Sequence, residues 1–266
     1  MGPMRTLTAQ EYYAEIAEFY DEETKSPIML AEDIVLFDFL ENEGLLQGAV
    51  LDAGCGTGLL LDHCYRPNWE ITEYRGYDFS KEMLDKMKSK WPSFRERLEQ
   101  MSFLDDHDKI GGTFDSVLSL YAGLNCLTRP EMSLAFYNLW KKVKKGGTMC
   151  LMTYGNVAPE DRETSLHNIV TDKKGYSYTM IEESVLYTWL RDLPNSTDVR
   201  ILPFSLAEEK DESEPMTSSD NMESILYHRN RIENDLDETT LRDSMKGGTR
   251  SPSCSFFLCL ATKTTT

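Results

Sequence analysis

No stretch of this 266-residue sequence approaches the roughly 18 unbroken apolar residues that a membrane span needs. No leader of positive, apolar and then small residues opens it, so we expect a cytoplasmic protein without a secretion signal or membrane partner. Positive charge is scarce. The 28 Lys and Arg stand against 45 Asp and Glu, for a formal charge of −17. That balance makes a phosphate backbone an unfavourable partner, and no nucleic acid is expected. The basic run Lys141-Lys142-Val143-Lys144-Lys145 falls at a predicted helix C-terminus, where the helix dipole favours cations. The six cysteines include no C-x-x-C pair, which fits reduced thiols in a core or in loops. With no H-x-x-H or H-E-x-x-H spacing, no metal is expected. Internal repeats are absent, and the length suits one domain with a cap.

What is present centres on Ala49 to His63, AVLDAGCGTGLLLDH. A short apolar run, Val50-Leu51, ends in Asp52, turns through Gly54-Cys55-Gly56-Thr57-Gly58 and resumes as Leu59-Leu60-Leu61. That order predicts a buried strand, a glycine turn and a helix start. Glycines there accept backbone angles closed to other residues and let a ligand approach the main chain. Amides opening the following helix suit a carboxylate or phosphate. A phosphate-binding P-loop is excluded, because Gly58 is followed by Leu59-Leu60 and not by Lys-Ser/Thr. The dinucleotide pattern G-x-G-x-x-G/A fits poorly, since the third glycine arrives one residue early.

LDAGCGTG closely resembles the first motif of class I S-adenosylmethionine-dependent methyltransferases. The run GYDFSKEML is similar to that family's strand–acid–helix passage, with Asp78 20 residues beyond Gly58. The resemblance implies S-adenosyl-L-methionine as cofactor, with its ribose held by Asp78 and its adenine flanked by Phe79. It implies an α/β fold: a doubly wound, Rossmann-like, mostly parallel seven-stranded sheet with an antiparallel last strand. Cofactor contacts are expected from Tyr20, Asp52, Gly54, Cys55, Gly56, Asp78, Phe79, Ser102, Phe103 and Leu120. At the end of the third strand, Leu98 to Phe103, relatives place an Asp for the adenine amino group. Here Ser102 stands there, so either Ser102 with the Phe103 backbone or Asp105 takes that contact.

Around this centre the chain divides by pattern into four spans. Residues 1–47 hold two helices. The first, opened by the capping box Thr8–Glu11, turns Tyr12, Ile16, Phe19 and Tyr20 to one face. The second, opened by Ser26-Pro27 and closed by Gly44, carries Met29, Leu30, Ile34, Phe37 and Leu40 inward. Such helices lie over the cofactor in relatives, where a Tyr reaches the site, although Tyr20 serves equally as packing. Residues 48–155 form the cofactor core. Its fourth strand is Phe114 to Leu120. A helix capped by Thr128–Glu131 then ends at Gly146-Gly147, before a fifth strand, Thr148 to Thr153. Residues 156–252 are read as a helical and irregular cap that carries substrate recognition. Within it we expect a helix over Met180–Leu193, a strand over Val199–Phe204 at an edge because of Pro203, a polar loop over Glu208–Asp220 and a helix over Met222–Leu236. Residues 253–266 supply the last strand.

In relatives the residues after the fourth strand, here Tyr121 to Asn125, line the methyl-transfer site. They lack the Asn/Asp-Pro-Pro-aromatic motif of enzymes that methylate base amines. Methyl transfer rests mainly on aligning the nucleophile and excluding water, and a base is needed only for a protonated acceptor. Tyr121, Tyr154, His167 and His228 are candidates for that role, each also readable as packing or surface. The expected activity is methyl transfer to an amine or hydroxyl of a small metabolite. The tone is that of amino-sugar and natural-product enzymes, and the acidic balance leans towards an amine. The alternatives are a protein or peptide methyltransferase and a catalytically silent cofactor-binding partner protein.

Overall fold

The computed structural model describes residues 7–23, 27–65, 69–155, 169–171, 176–204 and 255–265. Its helices are α1 (Ala9–Ile16), α2 (Tyr20–Glu23), α3 (Pro27–Asn42), α4 (Leu59–Cys64), α5 (Lys81–Lys90), α6 (Arg129–Lys142) and α7 (Glu183–Arg191). The strands are β1 (Gln47–Ala53), β2 (Glu70–Asp78), β3 (Leu98–Gln100), β4 (Phe114–Ser119), β5 (Val143–Gly155), β6 (Ile169–Thr171), β7 (Ser177–Thr179), β8 (Ser196–Phe204) and β9 (Ser255–Lys263). Seven of them make one sheet in the order β3-β2-β1-β4-β5-β9-β8, and β6-β7 pair separately. β1 to β5 run parallel, whereas β9 is antiparallel to both β5 and β8. This is the doubly wound Rossmann-like sheet with an antiparallel last strand. The order reverses at β1 and β4, so ligands are expected at their carboxyl ends.

Strand alternation divides the core between the two faces. Val50, Leu118, Cys150 and Leu258 point to one side and meet Leu36 and Leu40 of α3, Leu60 and Leu61 of α4, and Leu84 and Met87 of α5. Their neighbours Leu51, Val117, Met149 and Cys259 point to the other side. There they meet Met132, Phe136, Leu139 and Trp140 of α6, and Leu186 and Leu190 of α7. Cys55, Cys64, Cys150 and Cys259 are buried thiols and Cys126 is half-buried, with none bridged; Cys254 lies outside the described residues.

Both capping boxes form as expected, at Thr8–Glu11 and Thr128–Glu131. Helix α3 ends where Leu45 N donates to Leu40 O and Gly44 N to Glu41 O. Gly44 stands at φ +68 in that reversal, the left-handed turn that glycine permits. Several boundaries differ from the sequence reading. Phe19 is 52% exposed, because a turn closed by Phe19 N to Ile16 O separates α1 from α2 and rotates it off the apolar face. β3 stops at Gln100, since Ser102 N turns back to Asp105 Oδ2 at 2.8 Å. α6 ends at Lys142 and not at Gly146-Gly147, and β5 begins at once with Val143 opposite Phe114. The glycine pair sits at the register shift between β4 and β5 instead. A Cβ on Gly147 would stand 2.7 Å from Asp115 O, so this close backbone approach requires glycine. Lys142 and Lys144 of the basic run are engaged locally, by Gly112 O and Asp115. α7 and β8 fall within the 156–252 span yet pack on the main sheet, with β8 at its edge, as Pro203 requires. Glu208–Asp220 and Met222–Leu236 lie outside the described residues.

Candidate active site

β1 delivers the glycine turn to the carboxyl edge of the sheet. Gly54, Gly56 and Gly58 all hold positive φ, at +75, +53 and +97. Gly54 N and Cys55 N donate to Tyr77 O at 2.8 and 2.9 Å, and Gly58 N donates to Cys55 O at 2.9 Å. Gly56 N donates to Asp78 Oδ2 at 2.9 Å. Four loop amides are therefore used within the protein, and the missing side chains of Gly54 and Gly58 face Phe103 and Met87, which a Cβ would approach to 2.9 and 3.1 Å. A Cβ on Gly56 would find nothing within 4 Å, which marks it as the floor of an open cradle.

Asp78 ends β2 beside that loop. Its second oxygen, Oδ1, accepts from Ser80 N at 2.8 Å, and Ser80 Oγ in turn caps α5 through Met83 N. Burial pushes the Asp78 pKa up to about 6, against the opposing pull of the Ser80, Gly56 and Phe79 amides. Asp52 is buried beneath the loop, where Tyr74 Oη donates to its Oδ2 at 2.8 Å. Burial raises its pKa to about 7, with the Tyr74 hydrogen bond opposing and the Asp78 charge adding.

A cavity of about 960 Å³, its mouth included, gathers most of the residues singled out in the sequence. Tyr20, Asp52, Gly54, Cys55, Gly56, Asp78, Phe79, Phe103, Leu120 and Tyr121 all line it. The N-terminal helices form one wall. Asp21 of α2 accepts from the Thr57 hydroxyl and pairs with Lys90 at 3.0 Å, while Lys90 also pairs with Asp62 at 2.7 Å. Tyr13 meets the Phe79 ring edge-on at 5.7 Å between centroids. Burial, and next the Asp78 charge, push the Tyr20 pKa to about 12, so its hydroxyl stays protonated.

Phe79 and Phe103 also line an adjoining cavity with Gln100, Ser102, Asp105 and Cys126. Two cavities sharing two aromatic rings, with Asp78 lining the first beside Phe79, suit an elongated ligand that carries a flat base, a diol and a polar tail. Both Ser102 and Asp105 border the base end, and they are tied to each other through Ser102 N.

The sequence reading passed over Tyr13, Asp21, Thr57 and Met83, which line the main cavity, and above all Asp33. Asp33 is buried, at 4% exposure, on α3, where it reads as an ordinary acidic residue between apolar ones. Tyr154 lies behind Tyr121, the two rings sharing Phe256 as a neighbour. Its ring stacks on Phe256 at 4.9 Å and tilts against Tyr178 at 4.9 Å, outside the residues that line the cavity. Its amide donates to Asn125 Oδ1 at 3.1 Å, and Asn125 Nδ2 bonds Thr179 O, so Asn125 bridges β5 to β7. His167 and His228 lie outside the described residues. Among the described residues no cluster of metal-ligating side chains occurs, and no helix is long and apolar enough to cross a membrane.

Residues 50–147 match the family described as "Methyltransferase domain". No curated protein matches the chain. Solved structures with the same fold include a SAM-dependent methyltransferase from Archaeoglobus fulgidus, 15% identical with a TM-score of 0.57, covering 95% of this chain and 99% of that one. The DhpI–SAH complex is 15% identical with a TM-score of 0.58, covering 97% of this chain and 96% of its own. Magnesium protoporphyrin IX methyltransferase from Synechocystis, with bound SAM, is 14% identical with a TM-score of 0.51, covering 97% of this chain and 100% of its own.

Proposed function

We propose that this chain, whose residues 50–147 match a methyltransferase domain, is a class I S-adenosylmethionine-dependent methyltransferase that acts on an amine or hydroxyl of a small metabolite. The observation that supports this reading is the wall opposite the glycine loop. Tyr20, Asp33 and Tyr121, from α2, α3 and the turn after β4, close one compact cavity with polar side chains. When bound, S-adenosylmethionine supplies an electrophilic methyl group, which moves to the acceptor's lone pair while the C–S electron pair stays on sulfur. The protein's part is positional. The Gly54–Gly58 turn admits the cofactor's amino-acid end, Asp78 accepts from the ribose hydroxyls, and Phe79, Phe103 and Ser102 or Asp105 hold the adenine. The four-span division, with 156–252 as the acceptor-recognising region, belongs to the same proposal. So does the absence of nucleic-acid and membrane partners.

The test is transfer of label from methyl-labelled S-adenosylmethionine to a panel of small amines, amino sugars and phenols, with unfolded polypeptide as competitor. Label is expected in the small protic compounds. Label found only in polypeptide would replace this reading with the peptide one. Tight cofactor binding with transfer to neither would favour a silent binding protein.

A pH dependence accompanies it. Asp52 and Asp78 have folded pKa values of about 7 and about 6, both above the ordinary 3.8. Their contribution to folding is therefore fully present below about pH 4 and is lost as pH rises through about 6 and then 7. The cofactor is cationic at sulfur and needs Asp78 as an acceptor, so it favours the ionised carboxylates. Its affinity should rise between about pH 5.5 and 7.5, and binding near pH 6 should release protons. Calorimetry in buffers of different ionisation enthalpy reads this. A flat affinity without proton release would show that neither carboxylate changes charge on binding.

A further inference from the structure

One set of contacts on the cavity wall has no part in holding the cofactor. The Tyr121 hydroxyl donates to Asp33 Oδ1, and His63 Nε2 stands 3.4 Å from the other oxygen, Oδ2. His63, on α4, has a side chain 26% exposed and stacks on Phe37 with ring centroids 4.4 Å apart. Tyr121 and Asp33 line the same cavity as Gly54, Gly56 and Asp78. The other ionisable groups facing Tyr121 are Glu32, also buried on α3, and Tyr20.

Backbone geometry is committed to this placement. Tyr121 and Ala122 hold φ of +53 and +58, a left-handed conformation that strains residues bearing a side chain. Ala122 N donates to Met152 O at 3.1 Å, which fixes the turn. Strain of this kind persists where the surroundings over-determine it, and it clusters at functional sites.

A phenol has one proton and two lone pairs. Asp33 takes the proton, so Tyr121 offers only lone pairs to the cavity. An oxygen oriented in this way accepts from an N–H or O–H and gives nothing to a group without a proton. Burial, and next the Asp33 charge, push the Tyr121 pKa well above its ordinary value. The hydroxyl stays neutral, and it takes up a proton only by passing its own on.

We propose that Tyr121 and Asp33 act as a pair that receives the acceptor's proton. The acceptor's N–H or O–H bonds to Tyr121 Oη; as its lone pair becomes the new bond to the methyl carbon, its proton moves to Tyr121 Oη and the Tyr121 proton moves to Asp33 Oδ1. The proton is held on Asp33 until the product leaves. Tyr121 touches the acceptor, Asp33 is the positioning residue that turns the phenol, and His63 beside Oδ2 steadies the Asp33 charge beforehand. The acceptor class narrows to primary and secondary amines and hydroxyls, and excludes tertiary amines and thioethers. This inference rests on the methyl-transfer reading above.

A test without the acceptor uses sinefungin, which resembles S-adenosylmethionine but has an amine-bearing carbon in place of the methyl sulfonium. Its ammonium stands where the transferred methyl would and turns its protons towards the acceptor side, and S-adenosylhomocysteine has no such group. Wild type should prefer sinefungin. Tyr121→Phe and Asp33→Asn should each cut that preference by about tenfold, the scale of one charge-assisted hydrogen bond. S-adenosylhomocysteine affinity should stay within about twofold, and His63→Gln should cut the preference less. If both variants keep the preference, or lose both nucleosides in equal proportion, the pair does not face the acceptor and the proposal is overturned. If wild type binds neither nucleoside, the methyltransferase reading itself fails and takes this one with it.

Discussion

Gly56→Val should leave the sheet folded and lower S-adenosylmethionine affinity on the order of 100-fold or more. Two features of Gly56 combine. Its φ of +53 lies in the left-handed region, where a β-branched residue is strained by about 1–2 kcal/mol. Its missing Cβ faces space with no protein atom within 4 Å, so an isopropyl group would occupy the cradle and not clash with the fold. Gly56→Ala separates the two contributions, since it shares the strain but projects a single methyl. Its loss should be about tenfold. Titration calorimetry with parallel thermal melts checks both variants. Valine at wild-type affinity would mean that the open space beside Gly56 is not the ligand's.

Asp78→Ala should lower cofactor affinity by about 10- to 100-fold, corresponding to roughly 1.4–2.8 kcal/mol. The carboxylate does more than meet a ribose. It also accepts from Gly56 N at 2.9 Å and Ser80 N at 2.8 Å, so it joins the glycine turn to the start of α5. Alanine removes the partner of both amides and of the ligand's hydroxyls together, and leaving buried donors unpaired costs more than the hydrogen bonds contributed. A drop in melting temperature should therefore accompany the loss of affinity. Wild-type binding by Asp78→Ala would overturn the ribose assignment and the alignment of the chain after Gly58.

The parts of this site that were legible in the sequence are those whose signal is local. The Gly54–Gly58 turn, Asp78 at the end of β2, and the capping boxes at Thr8 and Thr128 each state their geometry within a few residues. The mostly parallel seven-stranded sheet with its antiparallel last strand followed from the resemblance. Asp33 was not legible. On an amphipathic helix an Asp beside a Glu reads as a solvated face, and it takes Tyr121, 88 residues away, together with His63 to account for its burial. The setting of Tyr154 was not legible for a related reason: ring packing against Phe256 of β9 and Tyr178 of β7 is a long-range choice that β5 alone does not encode. The Gly146-Gly147 pair read as a helix stop because glycine usually ends helices. The competing demand was a close backbone approach to Asp115 that only the sheet reveals.

The insertion of β9 between β5 and β8 bears on how the molecule is made during synthesis. Thr148 faces Thr262 across 114 residues of chain, and every residue of β8 also waits for β9 to find its neighbour. Pairings so distant in sequence form slowly. While residues 255–263 are still within the ribosome, β5 has its β4 side covered and its other side bare, and β8 has no partner among the described strands. The parallel half, with the glycine turn and Asp78, has by then all its own strands. The nascent chain thus passes through a stage in which the cofactor cradle is already assembled beside an open sheet edge, the kind of edge that pairs with other chains. Cofactor captured at that stage would stabilise the finished half while the last strand is still being delivered.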